Sequence, residues 1–102
     1  MEKNLKEFIS NVSPKNTREI VEDHVCRVEL TESDEVTINI DRGYAFNSLN
    51  SHEHIGNIIK GVKKTFGDEK KVIMKLEAHL KRGERFEHHD REENVPYIIH
   101  YN

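Results

Sequence analysis

Histidine is the residue type best equipped for chemistry in this sequence. There are seven in 102 residues, and four of them stand in two clusters, His52-Glu53-His54 and Glu87-His88-His89-Asp90. Imidazoles and carboxylates in such groups are the donor set of a zinc site, which takes three or four ligands in tetrahedral geometry. Local geometry works against that reading. On a helix, residues two apart project about 200° from each other, so His52 and His54 cannot both reach one ion. His88 and His89 diverge in the same way in a strand. A composite site from His54, His88, His89 and Asp90 needs a loop that turns them all inward, which nothing in the spacing demands. No metal and no cofactor is therefore expected, and neither a GxGxxG nor a GxxxxGK[ST] phosphate loop is present.

Nucleophilic catalysis has no better footing. Cys26 occupies an apolar position of a predicted strand, where cysteine acts as a small hydrophobe. No serine lies in a nucleophile-elbow pattern, and the carboxylates read as solvated faces. The sequence predicts no catalytic residue and no enzyme. A basic cluster is the remaining chemical feature: Lys60, Lys63, Lys64, Lys70, Lys71 and Lys75. On one side of a helix and its following corner these could contact several phosphates of a nucleic acid, with steep salt dependence. No aromatic interleaves them for base stacking, and a solvated helix face is the preferred account of them.

The net charge of −3 conceals that pattern. Residues 1–53 carry six basic and eleven acidic side chains, residues 54–82 eight and three, and residues 83–102 two and five. A uniformly basic nucleic-acid binder is excluded, a single basic face is not. The length suits one domain, residues 1–102, with a small core. No apolar run approaches the roughly 20 residues needed to span a bilayer, so no membrane partner is expected. The first residues are charged and amphipathic rather than a signal segment. One cysteine cannot form an intrachain disulfide, which fits a reducing compartment and predicts a cytoplasmic protein.

The element that positions the lysines is the most legible in the chain. Ile55, Ile58, Ile59, Val62 and Phe66 fall at helical spacing, with Ser51 as a cap, Lys63 and Lys64 near the negative end, and Gly67 as a left-handed stop. Burial of those five side chains is worth roughly 8–15 kcal/mol gross, so residues 51–67 should form the central helix. Before it, Leu5, Phe8, Ile9 and Val12 mark a short helix over residues 2–12. Ser13-Pro14 opens a second helix with Ile20, Val21, His24 and Val25 on one face. Cys26, Val28 and Leu30, then Val36, Ile38 and Ile40, alternate with polar residues and predict an antiparallel hairpin. Residues 42–47 read as a loop whose Tyr44 and Phe46 either close the core or form a contact surface.

After the central helix, Val72, Met74, Leu76, Ala78 and Leu80 alternate as a strand. Residues 81–84 follow as a turn, and residues 85–88 as a weaker return strand. Pro96 precedes an edge strand, Tyr97-Ile98-Ile99-His100-Tyr101.

In this α-α-β-β-α-β order, residues 5–76 resemble the KH-like interaction domains of bacterial replication proteins, such as the N-terminal domain of the replication initiator and the C-terminal domain of the clamp-loader tau subunit. The similarity lies in Val36-Thr-Ile-Asn-Ile, a short polar-aromatic loop, the helix to Phe66-Gly67, and Val72-Ile-Met-Lys-Leu, with Phe8 as the aromatic of the first helix. It implies a domain that mainly binds other proteins and binds nucleic acid weakly. The GxxG loop of true KH domains is missing, since Gly56 and Gly61 are too far apart.

The expectation is thus an α+β domain of order α-α-β-β-α-β-β-β, a small antiparallel sheet packed on the central helix and the N-terminal helices. Its predicted role is protein–protein interaction. The predicted contact residues are Tyr44 and Phe46 in the loop and Tyr97, Ile99 and Tyr101 on the edge strand, which invites strand addition or a homodimer.

Overall fold

The computed structural model describes residues 3–32, 34–77 and 98–102. The elements are α1 (Lys3–Asn11), α2 (Lys15–His24), β1 (Val25–Glu32), β2 (Glu35–Ile40), α3 (Gly43–Leu49), α4 (Ile55–Phe66), β3 (Lys71–Leu76) and β4 (Ile98–Tyr101). They make an α+β fold in which the helices cover one face of a four-stranded sheet of order β1-β2-β3-β4. Among the described residues no helix is long and apolar enough to cross a membrane.

The sheet is mixed rather than purely antiparallel. β1 and β2 form the expected hairpin, and β3 and β4 are antiparallel, but β2 and β3 run parallel with Val36 opposite Val72 and Ile38 opposite Met74. The reason is the connection. A parallel pair needs a crossover rather than a turn, and α3 and α4 supply it between β2 and β3. Alternation then sends Val36, Ile38, Ile40, Val72, Met74 and Leu76 toward the helices, where they meet Phe8, Val12, Val21, Phe46, Leu49, Ile58 and Val62 in one core.

Residues 42–47 are not a loop. α3 begins at Gly43 and buries Ala45, Phe46 and Leu49. Seven residues are too few for a periodic signal, and a helix this short is held by tertiary burial rather than by propensity. The central helix starts later than its apolar spacing suggests. Ser51 does not cap it, since its hydroxyl donates to the Ser48 carbonyl at 2.6 Å, and α4 opens at Ile55 after a turn. Its end is as expected, with Gly67 at φ +114°, a backbone that only glycine adopts readily. The expected turn over 81–84, the strand over 85–88 and the outer part of the strand ending at Leu80 lie outside the described residues.

Candidate functional site

α2 ends at His24, the residue before β1, and Asp41 is the residue after β2. The hairpin pairs Val25 with Ile40, so one further step along the ladder sets His24 opposite Asp41. The Asp41 amide donates to the His24 carbonyl at 3.0 Å, and the Asp41 Oδ1 lies 3.0 Å from His24 Nδ1. α3 begins two residues on and places the Tyr44 hydroxyl 3.1 Å from His24 Nε2, the two rings meeting edge to face at a centroid distance of 5.1 Å. A carboxylate can only accept, so the neutral imidazole carries its proton on Nδ1 and turns the Nε2 lone pair to the phenol, which donates. The side chains of His24 and Asp41 are 18% and 29% exposed, whereas Tyr44 is 69% exposed. The array therefore ends in an open phenol backed by an oriented imidazole.

A second histidine does structural work. His54, 4% exposed, has Nδ1 2.8 Å from the Thr17 hydroxyl, and the Asn57 amide donates to the same oxygen at 2.9 Å. The Thr17 hydroxyl accepts from Asn57 and keeps both its proton and a second lone pair for His54, so the contact ties α2 to the start of α4 with either ring tautomer. His52, two residues earlier, is exposed, so the pair does not converge, although both sit in the turn before α4 rather than on the helix. Among the described residues no group of three or more His, Cys, Asp or Glu side chains is arranged to hold a metal ion. His88, His89 and Asp90 lie outside them.

The six lysines do not form one patch. Lys60, Lys63 and Lys64 make an exposed stripe on α4, with no carboxylate in ion-pair range among the described residues. Lys75 alternates with the buried Met74 and Leu76, which puts it on the sheet face away from the helices. Lys63, Lys70 and Lys71 line a cleft of about 240 Å³ beside Tyr101, but Asp68 and Glu69 line it too. The charge there is mixed.

The predicted contact residues also part company. Phe46 is fully buried in the core and is not available to a partner; an aromatic on the inner side of α3 completes the layer over the sheet. Tyr44 points outward. On β4, Ile99 and Tyr101 are half-buried and Ile98 is 47% exposed, while Tyr97 lies outside the described residues. The Tyr101 hydroxyl donates to Asn50 Oδ1 at 2.6 Å, and the Asn50 amide is aimed by its own bond to the Phe46 carbonyl at 2.7 Å. Burial pushes the Tyr101 phenol above its ordinary value.

Cys26 is not on the apolar face. A bulge between Val25 and Arg27 breaks the alternation and leaves Cys26 exposed, its thiol 3.4 Å from the Asn39 carbonyl. Burial of the sulfur, then the carboxylates of Glu77 and Asp41, raise its pKa, so its nucleophilic thiolate is suppressed.

Sequence reasoning missed His24 and Asp41, 17 residues apart. The signal was the hairpin register, which sets these two opposite each other once Val25 pairs with Ile40. No protein-family model, curated protein or solved structure matches the chain, so the site stands on its own geometry.

Proposed function

We propose that this protein is an interaction module that takes up an extended segment of a partner protein along β4. The observation that carries this reading is the position of β4 at the edge of the sheet formed by the described residues, with Ile98 exposed beside its backbone and Tyr101 anchored to Asn50. Such an edge offers main-chain hydrogen bonds for a strand, and its side chains supply selectivity. The resemblance to KH-like domains of bacterial replication proteins favours a protein partner of that process. A second copy of the chain is the simplest partner, since an edge can pair with itself.

Amide chemical-shift mapping with bound extended peptides, together with sedimentation equilibrium of the free protein, tests the proposal. Perturbations centred on Ile98–Tyr101, and at least about tenfold weaker binding by the Ile98→Asp variant, are expected. Perturbations confined to α4 would overturn it.

The exposed stripe of Lys60, Lys63 and Lys64, without an ion-pair partner among the described residues, favours a second reading, a weak nucleic-acid contact. Three phosphate contacts give a log-log salt slope of about −2.7 on duplex DNA. A slope near zero, or no binding at low salt, removes it.

A further inference from the structure

Interaction through β4 leaves the Asp41–His24–Tyr44 array unused. Its parts stand in the order of orienting carboxylate, base and hydroxyl nucleophile. The phenol aims its proton at His24 Nε2 across 3.1 Å, the opposite ring nitrogen is held by Asp41, and the phenol oxygen is open to solvent. Two other described groups, a second phenol and the one thiol, are disfavoured. Tyr101 gives its proton to an amide oxygen, which is no base, and its phenol is shifted upward by burial. The Cys26 thiol is likewise shifted upward.

We propose that Tyr44 is a covalent modification site that accepts an acyl group from an activated ester, with His24 as its general base and Asp41 as a positioning residue. The phenol oxygen attacks the ester carbonyl carbon as its proton passes to His24 Nε2. The tetrahedral adduct collapses, the bond to the leaving group breaks, and the departing alkoxide or phenolate takes the proton back from Nε2. Nothing is oxidised or reduced. The product is a tyrosyl ester, one per chain, and the imidazole returns to its neutral form. This is a stoichiometric labelling of the protein, distinct from turnover.

The test uses the full chain in a Cys26→Ser background with p-nitrophenyl acetate, and peptide mass spectrometry reads acetylation at each tyrosine. Tyr44 should label at least about 100-fold faster than Tyr101, the size expected of a general base. His24→Gln should remove the advantage. Asp41→Asn should slow labelling about tenfold, with Asp41→Glu recovering part of it. Equal labelling of Tyr44 and Tyr101, or a label that rests on His24, would each overturn the proposal. Both readouts come from the Cys26→Ser chain with the array intact, so a His24 or Asp41 substitution that fails to fold does not shelter the idea.

Discussion

Tyr101 shows how one side chain can join a terminal strand to the body of the molecule. Its hydroxyl closes on Asn50, and burial raises its pKa, so the folded protein holds the phenol neutral beyond the pH at which the unfolded chain ionises. The sign follows from linkage. A raised folded pKa means the contribution is whole below the unfolded value, about pH 10, and is lost as pH rises through the folded value. The urea midpoint should therefore fall on the alkaline side of pH 10, and Tyr101→Phe should flatten that part of the curve while lowering stability at neutral pH by about 1 kcal/mol for the lost bond. An unchanged alkaline limb in the variant would show that the phenol does not titrate with unfolding. At this scale the sequence was least readable. His54 looked like half of a metal motif and is a buried tie to Thr17, whose hydroxyl also accepts from Asn57. His24 and Asp41 carried no motif because their meeting is a product of pairing, not of spacing in the chain.

Elements were more legible than residues, since apolar spacing is a property of the element itself. α1, α2 and the β1–β2 hairpin follow from their periodicities, and the end of α4 follows from Gly67. α3 escaped because its seven residues hold too little pattern, and Tyr44 and Phe46, alternatives in a supposed loop, take opposite sides of it. Two glycines of α4 make the packing testable. A Cβ at Gly61 would lie 2.9 Å from Val12 Cγ2 and 3.2 Å from Phe8 Cε1, both on or beside α1, whereas at Gly56 it meets nothing within 4 Å. Val12 and Phe8 are fully buried, and a β-branched neighbour has little room to turn. Overpacking of this kind costs roughly 1–3 kcal/mol, against a gain of about 1 kcal/mol in helix propensity. Gly61→Ala should thus lower the stability by up to about 2 kcal/mol. Gly56→Ala should leave it unchanged or raise it by up to about 1 kcal/mol. Thermal melts of the pair decide the matter, and a stabilised Gly61→Ala would mean that α1 is not pressed against α4.

For the whole molecule, the parallel pairing of β2 and β3 decides which parts depend on which. The crossover through α3 and α4 closes the core over β1, β2 and β3, and among the described residues every fully enclosed apolar side chain of that core lies between Leu5 and Leu76. Among the described residues β4 adds Ile99 and Tyr101, packed against that core from the side. Alternation along each strand is the same for parallel and antiparallel neighbours, so strand direction was hidden in the sequence, while strand existence was not. The energetic consequence is specific. Removing residues 98–102 gives up two half-buried side chains and one side-chain hydrogen bond, roughly 2–4 kcal/mol. A domain of this length has about 5–15 kcal/mol in hand. The truncated chain should therefore keep its helical circular dichroism and a cooperative urea transition at a lower midpoint. It should also lose the peptide binding assigned to β4 and, with the β3 edge laid open, become more prone to self-association. Sedimentation velocity beside the unfolding curve separates these effects. A truncated chain without a cooperative transition would show that β4 belongs to the core. One that folds and still binds the peptides would place the binding surface elsewhere.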